Sequence, residues 1–156
     1  MGGKILVAFD DSENAMRAVE YIARTFTREH QITLFCVVPD TAALCDMNSP
    51  SLTPYFVEKQ AIFCGLEDQK KELIDEAMQK AKELIMTAGF EEKNITLKVQ
   101  TKKKGVVRDI IDEAHSGYDT IVLGRRGLSG IKEFILGSVS QKVLHLARDI
   151  SVIVVE

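Results

Sequence analysis

The feature that most constrains this chain is a regular alternation of short apolar runs with segments of helical period. The apolar runs cover residues 4–9, 32–38, 120–123 and 151–155, and residues 95–101 alternate apolar and polar side chains, which predicts an edge strand. Between the first two runs, Ala15, Ala18, Val19 and Ile22 recur at a spacing that places them on one helix face. Strands that alternate with helices predict an α/β fold with a mainly parallel five-stranded sheet flanked by helices.

Length and composition agree with a single domain over residues 1–156. Apolar residues make up 46% of the chain, charged residues 28%, and the net charge is -3. This composition is that of an ordinary soluble protein, and it argues against nucleic acid or an anionic membrane as the main partner. No apolar run approaches the roughly 20 residues that span a bilayer. The early charges also argue against a signal peptide.

The three cysteines predict a reducing environment. Cys36, Cys45 and Cys64 are an odd number and show no CxxC spacing. A disulfide framework or a structural zinc site is therefore not expected. A cytoplasmic location follows as the prediction, with redox sensing by Cys45 or Cys64 as the less favoured alternative.

The segment from Asp40 to Phe63 is the least regular part of the chain. Pro39, Pro50 and Pro54 fall in or beside it, so it is predicted to be a long surface loop with at most one short helix. The strongest helical period follows from Leu73 to Ala88 and is closed by Gly89.

The stretch GRRGLSGIKEFILGSVSQ, residues 124–141, predicts an anion site. Its glycines allow backbone N–H groups to approach a ligand closely. Gly137-Ser138 opens a helix, whose free N–H groups and positive dipole end favour phosphate. Hydroxyls of Ser138 and Ser140 add donors, and Arg125 or Arg126 is expected to add charge unless both are simply solvated.

Known phosphate motifs do not account for this stretch. Gly130 is followed by Ile131, so the P-loop pattern fails. The first strand leads into Asp10-Asp11-Ser12 without a glycine, which disfavours a flavin or nicotinamide protein. Because ligands bind beyond the carboxyl ends of parallel strands, Asp10 and the glycine stretch are expected to form one site.

The spacing Gly124-x2-Gly127-x9-Gly137-Ser138 resembles the nucleotide-binding motif of the universal stress protein family, in its ATP-binding subclass. The resemblance covers essentially the whole chain and implies a Rossmann-like sheet of strand order 3-2-1-4-5. It also implies ATP as ligand, with a divalent metal such as magnesium or manganese, and a homodimer formed through the last strand. An unpaired hydrophobic edge strand at Val152–Val155 independently favours such pairing.

The resemblance places the nucleotide against particular residues. Asp10 would contact the ribose, although a helix-capping role is the alternative, and the backbone of Val38 would meet the adenine. Residues 137–140 would hold the phosphates. The full set of expected binding residues is Ala8, Asp10, Val38, Gly124, Arg125, Gly127, Gly137, Ser138, Val139 and Ser140.

Several functional readings remain open from the sequence. The favoured one is a nucleotide-dependent stress-response or signalling module that acts with an unknown protein partner. At most it would show slow ATP hydrolysis or self-phosphorylation on Ser138 or Ser140, so enzymatic activity is uncertain. The alternatives are an ATP-using hydrolase or transferase, and an interaction module without nucleotide. Asp11, which stands where the family often has glycine, is the main argument for the last.

Overall fold

The computed structural model describes residues 2–46, 53–125 and 137–156. Five parallel strands in these ranges form one sheet in the order β3-β2-β1-β4-β5. The strands are β1 Lys4–Ala8, β2 Gln31–Val38, β3 Ile95–Thr101, β4 Thr120–Gly124 and β5 Ser151–Val155. The predicted α/β fold and its strand order are therefore confirmed, with β3 and β5 at the two edges.

Helices cover both faces of the sheet. They are α1 Glu13–Thr25, α2 Ala42–Cys45, α3 Pro54–Thr87, α4 Val106–Ala114 and α5 Ser138–Leu146, with a 3₁₀ turn at Glu92–Asn94. One core packs α1 and α3 against the sheet, and the other packs α4 and α5 against the opposite face. Leu6 enters the second core and Val7 the first, both fully buried. Burial on both sides explains why β1 is continuously apolar instead of alternating.

Local signals fix the ends of α1 and α3. The Ser12 hydroxyl accepts a hydrogen bond from the Ala15 N–H at 3.2 Å and so caps the first turn of α1. Just beyond the C-terminal end of α3, Gly89 has φ +105°, a backbone conformation that suits glycine. None of the helices in the described ranges has an apolar stretch of membrane-spanning length.

The prediction of a loop from Asp40 to Phe63 is wrong for much of its length. The short α2 lies inside the segment, and α3 begins at Pro54 and runs for 34 residues. The Thr53 hydroxyl accepts from the Phe56 N–H at 3.2 Å, which places Pro54 at the first helical position. Proline is well suited to that position because its missing N–H would have no intrahelical partner there. Pro54 therefore starts a helix, whereas the sequence analysis took it as part of a loop.

The expectation that no disulfide forms is also wrong. Cys45 at the end of α2 is bonded to Cys64 on α3, with their Cα atoms 5.9 Å apart. The Gln60 side chain adds a hydrogen bond to the Leu44 carbonyl. The pairing could not be read from spacing because it depends on the early start of α3, which brings Cys64 back beside α2. Cys36 remains a free, buried thiol.

A buried carboxylate organises the turn between β3 and α4. Asp109 is 2% exposed, and its two oxygens accept from the backbone N–H groups of Lys103 and Lys104 at 2.7 and 3.0 Å. Gly105 enters the helix with φ +137°. Burial acts to raise the pKa of Asp109, but these hydrogen bonds outweigh it and hold the pKa below its ordinary value of 3.8. Asp109 thereby fixes the start of α4 against the sheet.

We predict that Asp109→Asn destabilises the protein by about 1–3 kcal/mol, because one of the two N–H groups loses its acceptor. Since the native pKa is lowered, the carboxylate stabilises the fold fully above its unfolded pKa. That stabilisation is lost as the pH falls through the native value. Urea denaturation at neutral pH and below pH 4 should show a smaller difference between the variant and the wild type at the acidic pH.

The matched control is Asp112→Asn on the same helix, where the carboxylate is more than half exposed and pairs with Lys104. An exposed ion pair contributes little, so this variant should stay close to the wild type. Equal destabilisation by both variants would contradict the role given to Asp109.

Candidate functional site

A cavity of about 290 Å³ opens at the carboxyl ends of the strands, where the order reverses between β1 and β4. Its walls are mostly apolar side chains from both sheet faces. The lining residues are Ala8, Phe9, Asp10, Ser12, Ala15, Phe35, Cys36, Val37, Val106, Ile110, Leu123, Gly124, Val139 and Ser140. A concave, largely apolar site with few polar groups at this position is typical of ligand binding in open α/β sheets.

Among the described residues that line this cavity, Asp10 is the one with a carboxylate. Its Oδ1 accepts a hydrogen bond from the Ser12 N–H at 2.9 Å, which orients the carboxylate at the turn between β1 and α1. The helix cap itself is provided by the Ser12 hydroxyl. The alternative role of Asp10 as a capping residue is therefore filled by its neighbour, and Asp10 lines the cavity. Asp11 is exposed and is not part of the described lining.

The end of β4 is tightly packed. A Cβ atom at Gly124 would lie 2.6 Å from the backbone oxygen of Asn14 in the first turn of α1. Glycine at this position is thus required by the close approach of two backbone segments. The sequence analysis explained it by approach to a ligand, and the packing with Asn14 is the reason that the structure adds. Gly124 also lines the cavity.

Two residues of the α5 N-terminus are bonded to the end of β4. The Gly137 N–H donates to the Arg125 carbonyl at 2.9 Å. The Ser140 hydroxyl, 3% exposed, donates to the Gly124 carbonyl at 2.8 Å and lies 3.2 Å from the Arg125 carbonyl. Ser140 therefore anchors α5 beside β4, and its hydroxyl proton is already engaged. Val139, between these anchors, lines the cavity.

Arg125 is held at the sheet edge. Its N–H donates to the Val155 carbonyl at 2.7 Å, and its Nη1 lies 2.6 Å from a carboxylate oxygen of Glu156. The Arg125 side chain is 19% exposed and pairs with Glu156, which is 84% exposed. This arrangement gives Arg125 a structural partner, which the sequence analysis did not foresee.

The remaining predicted residues divide between the cavity and its surroundings. Ala8 lines the cavity, between Phe35 and Leu123 in the register of the sheet. Val38 does not line it: its side chain is buried in the α1–α3 core, and its carbonyl accepts from the Lys102 N–H at 2.7 Å. Ser138 is exposed at the start of α5 and lines a neighbouring groove. Gly127 lies outside the described residues.

Several lining residues were not identified from the sequence. Phe35, Val37, Val106 and Ile110 form apolar walls, but in the sequence they are indistinguishable from core positions of strands and helices. Cys36 also borders the cavity. Burial raises its pKa to about 12, with further contributions from Asp10, Asp11 and Asp75, so it remains a neutral thiol. The described residues contain no group of three His, Cys, Asp or Glu side chains arranged to hold a metal ion.

The parallel five-stranded sheet and the cavity at the reversal of its strand order define the class, a Rossmann-like α/β protein. The comparison with family models is more specific, because residues 1–156 match the model described as the Universal stress protein family. The chain therefore belongs to the universal stress protein family.

Individual universal stress proteins are similar to the chain in sequence or in structure. The chain is 34% identical to Universal stress protein Sll1388 of Synechocystis over 147 residues, 92% of this chain and 91% of that protein. Universal stress protein UspA from Lactobacillus plantarum has a similar structure, with TM-score 0.69, 26% identity, and coverage of 99% of this chain and 97% of that chain. A universal stress protein solved in complex with cAMP has TM-score 0.60 at 17% identity, with coverage of 99% and 97%, and shares the fold.

We predict that Gly124→Ala destabilises the protein by about 1–3 kcal/mol, because the new methyl group must displace the first turn of α1. Urea denaturation measures the loss. Gly65→Ala is the matched control: a Cβ there meets nothing within 4 Å, and the residue lies inside α3. That substitution should stabilise the helix by up to about 1 kcal/mol. A Gly124→Ala variant as stable as the wild type would rule out the close packing described here.

Proposed function

We propose that this universal stress protein binds an adenine nucleotide, with ATP the expected ligand, in the cavity between β1 and β4. The observation that carries the proposal is the combination of apolar walls with the Asp10 carboxylate at the point where the strand order reverses. Binding would make the chain a nucleotide-dependent stress-response or signalling module that is read by a protein partner.

The walls suit the two parts of a nucleoside. Phe35, Val37 and Leu123 offer an apolar surface for a flat base. Asp10 is positioned by Ser12 and can accept hydrogen bonds from both ribose hydroxyls. The base therefore belongs on the apolar side of the cavity and the ribose beside β1. Val37 lines this side of the cavity, next to Val38, whose backbone was expected to meet the adenine.

The phosphates belong at the N-terminus of α5. Gly137, Ser138 and Val139 present the first backbone N–H groups of that helix, which favour an anion. A magnesium or manganese ion would be held mainly by the phosphates, with Asp10 as the nearby carboxylate. The ion would supply charge neutralisation of the phosphate oxygens.

The structure bears on how the alternatives are ranked. Asp11, the main argument for an interaction module without nucleotide, is exposed and not part of the cavity lining. For self-phosphorylation, Ser138 is the better acceptor of the two serines, because the Ser140 hydroxyl is buried and bonded to a carbonyl. An ATP-using hydrolase or transferase is the second enzymatic reading, and turnover well above a slow background would favour it.

A cytoplasmic location remains a prediction. The Cys45–Cys64 disulfide is the observation against it, because disulfides are uncommon in reducing compartments.

Calorimetric titration of nucleotide-free protein with ATP, with and without magnesium, tests the proposed function. Asp10→Asn should weaken binding about tenfold or more, since it replaces charge-assisted hydrogen bonds with weaker ones. Asp11→Asn is the control, because it removes the same charge one residue away but outside the lining, and it should bind as the wild type does. Titrations with AMP and cAMP show how their affinities compare with that of ATP. Absence of binding by well-folded wild-type protein would reject the proposal and favour the interaction module.

We further propose a homodimer in which β5 pairs with its copy. The strand lies at the sheet edge, and its Ile153 and Val154 are only partly buried. The Ser151 N–H and Val155 carbonyl point toward β4, as their bonds to Asp119 and Arg125 show. By the alternation of a strand, the N–H of Val154 points outward and is available to a second subunit.

Sedimentation at micromolar concentration should therefore show a dimer for the wild type. Val154→Pro removes the outward N–H and leaves the bonds to β4 intact, so it should give a folded monomer. Val154→Thr is the control, because it keeps the N–H and a similar shape. A wild-type monomer, or a proline variant that still dimerises, would contradict pairing through β5.

A further inference from the structure

A second cavity, of about 480 Å³, lies between the first turn of α4 and the length of α5. We call it the α4–α5 groove. Its lining residues are Lys104, Gly105, Val106, Val107, Arg108, Ser138, Val139, Lys142 and Leu146. Ser138 and Val139 of this groove belong to the glycine stretch, and residues 104–108 add the turn before α4 and the first turn of that helix.

The described lining of the groove contains three cationic side chains and no carboxylate. The Lys104 ammonium also forms an ion pair with Asp112 on the exposed surface of α4, at 2.9 Å. Arg108 and Lys142 are exposed and form no ion pair with the described residues. A local cluster of three cations on a chain of net charge -3 indicates an anionic ligand.

The backbone reinforces this charge. Both helices that line the groove begin after a glycine, Gly105 or Gly137, and neither has a side-chain cap. The Asp109 carboxylate lies in the first turn of α4 and accepts from the N–H groups of Lys103 and Lys104, so its charge offsets the positive end of that helix. The uncapped N-terminus of α5 therefore adds its partial positive charge to those of the side chains.

The groove adjoins the cavity described above. Val106 and Val139 line both, so the two spaces meet at these side chains. Ser138, the first residue of α5, lies on the groove side of this boundary. A nucleotide whose base and ribose occupy the first cavity would direct its phosphate chain past Val139 toward Arg108 and Lys142.

We propose that the α4–α5 groove is a polyphosphate subsite in which Arg108 and Lys142, assisted by Lys104, bind a chain of phosphates. In its nucleotide-linked form this inference rests on the proposed function: the groove would hold the distal phosphates and make affinity rise with phosphate number. The same chemistry would also accept a free polyphosphate. Arg108 can bind two phosphate oxygens at once, whereas Lys142 acts as a point charge.

The test uses Arg108→Gln/Lys142→Gln, compared with Arg17→Gln/Lys80→Gln. The control pair removes one arginine and one lysine from exposed positions on α1 and α3 that line neither cavity. Both double variants thus have the same net charge. Calorimetry with AMP, ATP and inorganic tripolyphosphate at fixed ionic strength distinguishes nucleotide phosphates from a free polyphosphate. Thermal denaturation checks that both variants are folded.

We expect wild-type protein to bind ATP at least tenfold more tightly than AMP. The groove variant should lose most of that preference, with AMP affinity unchanged and the control variant unaffected. Tripolyphosphate that binds wild type and the control but not the groove variant also supports the subsite. If tripolyphosphate shows this pattern but no nucleotide binds, the proposed function is rejected, and the groove is supported as a polyphosphate site. The inference would be overturned if the groove variant bound ATP and tripolyphosphate as tightly as the control variant does, even if ATP binds.

Discussion

The end of β4 is the point on which the rest of the site depends. Within two residues, Gly124 lets the first turn of α1 approach, and the Arg125 N–H bonds the carbonyl of Val155 on β5. The carbonyls of the same two residues accept from Gly137 and Ser140 at the start of α5. A side chain at 124 would separate these segments, because the atom it would meet is backbone and cannot move aside cheaply.

This junction matters because of where it lies in the sheet. From β1 the chain proceeds outward to β2 and β3, and then returns across the sheet to β4 and β5. The connections on the two sides of β1 and β4 therefore leave in opposite directions, and a crevice remains between them. Asp10 reaches this crevice from β1, and α5 closes it from β4. The same anchoring leaves the first turn of α5 facing both the crevice and the α4–α5 groove.

Much of the fold was predictable, since the central strands β1, β2 and β4 are short and covered on both faces. Such strands are continuously apolar, and the runs at 4–9, 32–38 and 120–123 stand out from the helical segments between them. The same property limited prediction of the site. Phe35 and Val37 are as apolar as any core residue, and their position on a cavity wall depends on what lies across from them. Val38, one residue along, faces the opposite core.

The sequence by itself determined the α/β fold and, through its family resemblance, the strand order, and it predicted Asp10 and residues 137–140 as parts of the site. These follow from local periodicity, turn chemistry and motif spacing, all of which are properties of neighbouring residues. Only the tertiary structure decided the Cys45–Cys64 pair, the partner of Arg125, the engagement of Ser140 and the meeting of Lys104, Arg108 and Lys142. Each of these joins residues from different elements, and their distances are set by packing and not by spacing along the chain.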